Sequence, residues 1–178
     1  MRVLICPAST HGATAEIGRK LADVLRRYGL DVDVAQPEHI KDLHRYNGFV
    51  LGSAIYRGKW KQEALDLVDE HTEVIAASPC WLFSSGPIME GEPSEPLRPD
   101  EEAKLMAATG AREHRLFGGR LDIDELSFTE RWLARWVKAK SGDARPWDEI
   151  EEWAIRIAAE LTNGGLPDHA STDDATSN

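Results

Sequence analysis

The chain has 178 residues, 42% of them hydrophobic, so it is long enough for one domain with a sizeable core and short for two. Its 31 acidic residues outnumber the 21 lysines and arginines and give a net charge of −10, which disfavours a nucleic-acid-binding protein. No apolar run approaches the roughly 18 residues of a membrane span. Because Met1 and Arg2 lead directly into an apolar run with no secretory leader between them, we expect a cytoplasmic protein.

Apolar strand-like runs alternate with amphipathic helical segments along the chain. In the first half, the pattern predicts a strand at 2–6, a helix over 13–28 closed by Gly29, strands at 30–35 and 48–54, and a helix whose apolar side begins at Trp60 and that runs to about residue 77. In the second half, it predicts a strand at 79–85, a polar segment at 86–99, a helix over 100–109 closed by Gly110, a strand at 114–121, a helix over 127–140 and a helix from Trp147 to about residue 161. We expect one domain over 1–162 and a disordered tail over 163–178, which is rich in Gly, Ser, Thr and Asp.

This alternation predicts a doubly wound α/β domain whose five parallel strands lie in the order 2-1-3-4-5. In such sheets the ligand lies beyond the carboxyl ends of the strands, at the switch point between the first and third strands. The loops expected to hold it are 7–14, 54–60 and 84–91. Cys6 and Cys80 lie in apolar runs and form no CxxC pair, so we expect two buried thiols and neither a metal nor a redox-exchange site.

The loop after the first strand, "STHGAT", has a composition suited to phosphate. It precedes a helix, where backbone N–H groups lack partners and the helix dipole favours negative charge. Gly12 allows close approach of the backbone, and Ser9, Thr10, His11 and Thr14 offer further donors. The loop has no lysine or arginine and matches neither GK[ST] nor GxGxxG, so it favours a terminal monoester held by uncharged donors. The alternative is that Ser9 or Thr10 only caps the helix.

The other two loops have residues that can contact a flat ring, aromatic side chains in one loop and backbone groups in the other. In "GSAIYRGKW", either Tyr56 or Trp60 can lie against a ring, and Gly58 leaves room for the backbone. The alternative for Trp60 is that it is the first core residue of its helix, and Arg57 is a solvated residue by default. The third loop, "SSGPI", has small residues and free backbone groups. Together the three loops indicate a site for flavin mononucleotide (FMN).

These loops resemble those of the flavodoxin superfamily, in which a Ser/Thr-x-Thr-Gly-x-Thr loop binds the FMN phosphate. Here the loop is "STHGAT", with His11 where flavodoxins usually have threonine. The segments "HGATAEIG", "VLGSAIYRGKW" and "WVKAKSGDARPWDEIEEWA" are similar to the flavodoxin-like branch that includes menaquinone-dependent protoporphyrinogen oxidase. The resemblance covers about residues 1–162.

The resemblance implies an FMN-dependent oxidoreductase that dehydrogenates a tetrapyrrole precursor and passes electrons to a quinone-like acceptor. The third loop carries no aromatic residue, so one flavin face is either open to a substrate or covered by another part of the chain, and an open face favours an enzyme over a carrier. No catalytic residue is assigned, because the flavin does the chemistry and the protein orients and tunes it. The implied cofactor-binding residues are Ser9, Thr10, His11, Gly12, Ala13, Thr14, Ala54, Ile55, Tyr56, Arg57, Gly58, Ser84, Ser85, Gly86 and Pro87.

Two charged segments have two interpretations each. The predicted helix over 127–140 combines Trp132 and Trp136 with four basic residues and one acidic one. It can lie on the inner face of an anionic membrane or line a site for an acidic porphyrin or a quinone, or it can simply pack its Trp stripe on the sheet edge. The acidic residues of 90–102 form either a solvated helix start or a rim that attracts a basic redox partner.

Other functions fit less well. A phospho-receiver needs aspartates at the ends of the first and third strands, where this chain has Cys6-Pro7 and Gly52-Ser53. A serine hydrolase needs a GxSxG elbow, which "GSAIYRG" does not supply. The alternatives that stay open are an FMN-binding electron carrier or redox-sensing module that acts on a protein partner, and a scaffold without flavin.

Overall fold

A computed structural model of the chain describes residues 1–10, 12–86, 97–118, 120–121, 142–143 and 145–163. Its strands are β1 (Arg2–Ala8), β2 (Asp31–Val34), β3 (Gly48–Tyr56), β4 (Lys59–Trp60), β5 (Cys80–Gly86), β6 (His114–Gly118), β7 (Arg120–Leu121) and β8 (Gly142–Asp143). Its helices are α1 (Ala13–Arg27), a 3-10 turn at Pro37–His39, α2 (Gln62–Glu70), α3 (Thr72–Ala76), α4 (Pro99–Thr109) and α5 (Trp147–Asn163). The predicted helix over 127–140 and residues 164–178 of the predicted tail lie outside the described residues.

The main sheet is parallel, with the strand order β2-β1-β3-β5-β6. Counted without the short β4, this is the predicted order 2-1-3-4-5, which is therefore confirmed. Neighbouring carboxyl ends are in register, since Ala8 of β1 pairs with Ser53 of β3, and Ala54 of β3 pairs with Ser85 of β5. The register brings small residues together at the edge where the predicted loops lie.

Each strand divides its side chains between two cores because successive residues of a strand point to opposite faces. In β3, Val50 packs in the core beneath α1 and α5, whereas Phe49 and Leu51 pack in the core beneath α2, α3 and α4. Both faces of the sheet are thus covered, which is why its strands are near-continuous apolar runs. Cys6 and Cys80 are free and buried, as predicted.

An aromatic cluster packs helix α5 against the sheet, in the core that α5 shares with α1. The Trp153 ring makes edge contacts with Phe83 at 6.3 Å and Phe117 at 5.5 Å between centroids. Its Nε1 donates to Glu113 Oε2 at 2.7 Å. Because the Phe83 ring lies directly over Gly52, a Cβ built on this glycine would come within 2.1 Å of Cζ of Phe83.

The structure corrects two predicted elements. The helix predicted from Trp60 to about residue 77 is wrong at its start and is not continuous. Trp60 lies in β4, antiparallel to β3, and the helical segment is divided at His71 into α2 and α3; its end at Ala76 agrees with the prediction. The strand predicted over 114–121 is also too long. It ends at Gly118, and Arg120–Leu121 pairs instead with Gly142–Asp143 in a separate antiparallel pair.

Candidate cofactor site at the carboxyl edge of the sheet

The first loop ends at Gly12, where helix α1 begins without a side-chain cap from the part of the chain that the structure describes. Gly12 adopts a left-handed conformation with φ of +79°, and no side chain caps α1 among the described residues. A Cβ built on Gly12 would meet nothing within 4 Å. The first-turn N–H groups of a helix have no partner within the helix itself, and they carry the positive end of its dipole. This helix start is therefore suited to a small anion.

The predicted donors of this loop differ in exposure. Ser9 is half-buried and Thr10 is exposed, whereas Thr14 is only 1% exposed. The hydroxyls of Thr14 and Ser85 are 2.6 Å apart and hydrogen-bonded, which ties the start of α1 to the end of β5. The structure thus brings the first and third predicted loops into direct contact. His11 lies outside the described residues.

The second loop is a tight β-hairpin. Ile55 pairs with Trp60 and Tyr56 with Lys59, so only Arg57 and Gly58 form the turn. Their φ angles, 52° and 72°, are both positive, as in the type I′ turns that match the twist of paired strands. The Gly58 carbonyl accepts a hydrogen bond from the Arg98 N–H at 3.0 Å, which joins the turn to the start of α4.

The hairpin separates the two aromatic candidates. Tyr56 is 46% exposed at the end of β3, whereas Trp60 is 3% exposed and lies in the core beneath α2, α3 and α4. Trp60 also donates through Nε1 to the hydroxyl of Ser84 at 2.7 Å. Trp60 is therefore a core residue, and Tyr56 is the exposed aromatic of this hairpin. Of its neighbours, Ile55 is buried and Ala54 is half-buried.

The third loop begins at the buried end of β5, which comprises Ser84, Ser85 and Gly86; Pro87 lies outside the described residues. The Ser84 hydroxyl lies 2.8 Å from His114 Nε2, and His114 Nδ1 lies 2.7 Å from Glu102 Oε1. His114 and Glu102 were missed as site residues. The predicted order of the strands was the available signal, because it places the start of β6 beside β5.

Two charge clusters border the site. Glu16 in the first turn of α1 is ion-paired with Arg145, which is 8% exposed and whose guanidinium lies 4.4 Å from the centre of the Trp147 ring. Sequence reasoning missed this cation because it is about 130 residues away along the chain. The second cluster centres on Glu101, whose carboxylate lies within 4 Å of Lys59, Arg98 and Lys104.

In the Glu101 cluster, the hydrogen bond from Arg98 is the largest effect on the carboxyl group. It lowers the Glu101 pKa, and the charges of Lys59 and Lys104 act in the same direction. The cluster links the hairpin to α4 beside the candidate site. Asp100 also lies 3.8 Å from Arg98, so acidic and basic side chains alternate at this point of the chain.

The comparisons with known proteins agree with this architecture. A family model described as a flavodoxin domain matches residues 4–146, which is well over half of the chain. The chain belongs to the flavodoxin domain family. This flavodoxin-domain protein is 23% identical over 172 residues to the protoporphyrinogen IX dehydrogenase [quinone] of Escherichia coli K12, a match that covers 89% of this chain and 95% of the relative.

Solved structures show the same fold. Oxidised flavodoxin 1 of Bacillus cereus is similar with a TM-score of 0.60 at 18% identity, covering 94% of this chain and all of that one. A variant of the flavodoxin of Pseudomonas aeruginosa is similar with a TM-score of 0.58 at 20% identity, covering 91% of this chain and 99% of that one. The family and its relatives imply a flavin cofactor and a redox partner for this flavodoxin-domain protein.

The residues of this flavodoxin-domain protein fit a flavin phosphate. An uncapped helix start, a left-handed Gly12 with open space beside it and the hydroxyls of Ser9 and Thr10 are the donor set that a phosphate monoester needs. Among the described residues, no group of three or more His, Cys, Asp or Glu side chains could hold a metal ion. In that same part of the chain, no helix is long and apolar enough to cross a membrane.

Proposed function

We propose that this protein binds FMN non-covalently at the carboxyl edge of its sheet and oxidises a tetrapyrrole precursor, with a quinone-like electron acceptor. The observation that carries the proposal is the likeness to protoporphyrinogen IX dehydrogenase [quinone], which extends over 89% of this chain and 95% of the relative. A match along nearly the whole of both chains supports a common activity better than a match confined to one motif.

In this proposal the first loop holds the phosphate. The α1 amides that follow Gly12 point along the helix axis towards the open end, and Ser9 and Thr10 add hydroxyl donors. His11, Ala13 and Thr14 complete the proposed cradle. Because the Thr14 hydroxyl is bonded to Ser85, its proposed part is to hold the cradle against β5, with its backbone N–H facing the anion.

The other two loops border the flavin ring in this proposal. The hairpin residues Ala54, Ile55, Tyr56, Arg57 and Gly58 lie along one side, and exposed Tyr56 supplies the flat surface. The end of β5 and the residue after it, Ser84, Ser85, Gly86 and Pro87, border the opposite edge. Bound FMN would supply the hydride and electron chemistry, while these residues orient the ring and limit access of water.

An electron carrier is the second candidate function. The structural likeness to flavodoxins along nearly the whole of those chains favours it. The acidic first turn of α4, Asp100 to Glu102, would then face a basic protein partner. In the enzyme proposal, the predicted basic Trp helix over 127–140 is the segment that contacts a porphyrin, a quinone or the inner face of the membrane.

One experiment separates the two candidates. Protein reconstituted with FMN is mixed anaerobically with protoporphyrinogen IX and a water-soluble quinone, and porphyrin fluorescence is followed. The enzyme proposal predicts porphyrin formation that needs protein, FMN and quinone together. If no porphyrin forms, while photoreduced protein transfers electrons rapidly to cytochrome c, the carrier is supported and the enzyme proposal is wrong. Failure to bind FMN contradicts both.

A further inference from the structure

A chain of four hydrogen-bonded side chains runs from the hairpin to α4 across β5 and the first residue of β6. Trp60 Nε1 lies 2.7 Å from Ser84 Oγ, Ser84 Oγ lies 2.8 Å from His114 Nε2, and His114 Nδ1 lies 2.7 Å from Glu102 Oε1. Its members come from β4, β5, β6 and α4. The inner end is closed to solvent, since Ser84 is 0% and Trp60 3% exposed, whereas the Glu102 side chain is 44% exposed.

The chemistry of the end groups sets the direction of donation. An indole Nε1 only donates, so Ser84 Oγ accepts from Trp60 and its own O–H is free to donate to His114 Nε2. His114 then carries its proton on Nδ1 and donates it to the Glu102 carboxylate. With neutral His114 in this tautomer, every side-chain N–H and O–H of these four hydrogen-bonded residues has an acceptor.

The sequence Ser-His-Glu has the composition of a hydrolase triad, but the surroundings of Ser84 are those of a structural hydroxyl. A nucleophilic serine must reach a substrate carbonyl, and Ser84 is fully buried. Its oxygen also accepts the Trp60 N–H, which reduces its nucleophilicity. The arrangement therefore positions Ser84 and Trp60.

We propose that His114 is a positioning residue of the FMN site, acting through Ser84 on the end of β5 and through Trp60 on the hairpin that carries Tyr56. This inference rests on the proposed function, since it concerns the same site. Trp60 is paired with Ile55 in the hairpin, and Ser84 is followed by the proposed edge residues Ser85 and Gly86. The chain thus joins the two loops proposed to lie on opposite sides of the ring.

This position makes FMN binding sensitive to protonation of His114. Protonated His114 has an N–H at both ring nitrogens, so Nε2 becomes a donor to Ser84. The Ser84 O–H then loses its acceptor inside a buried part of the sheet, which costs free energy unless the hydroxyl and the loop move. Histidine is the side chain that ordinarily changes charge between pH 5 and 8, which sets the pH range of the test.

The other ion pairs of α4, the hairpin and β6 lie within those elements or join them to one another. From α4 and the hairpin, Lys59, Arg98 and Lys104 lie around Glu101. On β6 and just before it, Arg115 is paired with Glu113 at 2.6 Å. Of these elements, α4 supplies the Glu102 carboxylate in contact with the ring.

Two substitutions of His114 distinguish its hydrogen bond with Ser84 from its hydrogen bond with Glu102. In His114→Gln the amide reaches the position of Nε2, where its oxygen can accept from Ser84 and carries no titratable proton. In His114→Asn the shorter amide lies at the position of Nδ1, where it can contact Glu102 but cannot reach Ser84. His44→Gln is the matched control, since His44 is an exposed histidine outside the site.

The test measures FMN affinity by quenching of flavin fluorescence from pH 5 to 8. Wild type and His44→Gln are expected to lose about tenfold in affinity on acidification, as expected when a buried hydroxyl loses its acceptor. His114→Gln is expected to keep the wild-type affinity at pH 8 and to lose about tenfold less affinity than wild type on acidification, because only the titration of the FMN phosphate then remains. His114→Asn is expected to bind about tenfold more weakly at every pH.

Nitrogen-15 NMR of the histidine rings in the FMN-free protein gives a readout independent of the cofactor. We expect His114 to be in the Nδ1–H form at pH 8. An Nε2–H tautomer would overturn the inference, as would FMN affinity that is equally pH-dependent in wild type and His114→Gln. FMN binding without any pH dependence overturns this inference alone, whereas absence of FMN binding overturns the proposed function as well. The comparison of wild type with His114→Gln decides the matter even where His114→Asn does not fold.

Discussion

Replacing Gly12 by leucine separates the strain of a left-handed backbone from the loss of an anion cradle. In the free protein, the new side chain at φ of +79° meets no atom within 4 Å of its Cβ. The cost to folding is therefore that of a non-glycine residue in the left-handed region, about 1–2 kcal/mol. For a domain of this size, each kcal/mol lowers the melting temperature by about 2–4 °C.

Gly29→Leu is the matched control at the other end of the same helix. Gly29 has φ of +82° and also has nothing within 4 Å of a built Cβ. We therefore expect both variants to lose about 2–8 °C in melting temperature. They should differ in FMN binding, because only the Gly12 side chain would occupy space beside the proposed phosphate.

The assay compares the affinities for FMN and for riboflavin, which lacks the phosphate. A hydrogen bond to a charged group contributes about 1.5–3 kcal/mol, so losing one phosphate contact lowers FMN affinity about ten- to hundredfold. Gly12→Leu should lose the preference for FMN over riboflavin, and Gly29→Leu should keep it. Equal preference for FMN in both variants would refute the assignment of the phosphate loop.

Three further predictions concern the core and the packing of α5. Gly52→Ala should lower the free energy of unfolding by about 1–3 kcal/mol in urea titrations, because a Cβ would overlap the buried ring of Phe83 at 2.1 Å. Hydrogen bonds from α1 lower the pKa of Glu151, so Glu151→Gln should lower the melting temperature at pH 7 and approach wild type as the pH falls through the lowered pKa of the folded protein. Burial raises the pKa of Cys6, and that of Cys80 to about 12, so native protein should resist thiol reagents at pH 8 and react on unfolding.

The sign of the Glu151 effect follows from linkage. Hydrogen bonds from Lys20 and Arg27, at 2.5 and 2.6 Å, favour the ionised carboxylate of the folded protein. Its contribution to stability is therefore present above the pKa of the unfolded chain and is lost as the pH falls through the lower folded pKa. Glu149→Gln on the exposed side of α5 is the control, and an equal effect of the two substitutions at pH 7 would contradict this account.

The other two predictions have their own controls. Gly48→Ala should be much milder than Gly52→Ala, because its Cβ would come no closer than 3.3 Å to the Leu161 side chain. Similar losses at both positions would show that the Phe83 contact is not the cause. Rapid modification of either thiol in folded protein would show that the strands around Cys6 and Cys80 open more readily than their burial suggests.

The parallel sheet could be predicted from sequence because its signals are local and strong. The apolar runs of β1, β3 and β5 and the helical spacing of α1 each require burial on a defined face. The hairpin was missed because Trp60 continues the apolar spacing of the helix that follows it. Arg57-Gly58 carried a turn signal, but the glycine was interpreted as room for a ligand.

The sequence predicts which three loops form the candidate site, but it does not predict the side-chain contacts that join them. Strand order alone places those loops at one edge, since parallel strands end together. By contrast, the contacts of Thr14 with Ser85 and of Ser84 with His114 depend on register and on which face each side chain takes. The same holds for Arg145, which reaches Glu16 only through the docking of α5 against α1.

The central claim is FMN binding at the phosphate loop, and its most direct test is a spectrum and a titration. The purified protein is examined by absorbance, and any flavin-free form is titrated with FMN while flavin fluorescence and melting temperature are followed. We predict flavin absorbance bands, or saturable binding of FMN with a raised melting temperature. A colourless protein on which FMN has neither effect would mean that α1 begins at an ordinary helix start, and the redox proposal would be wrong.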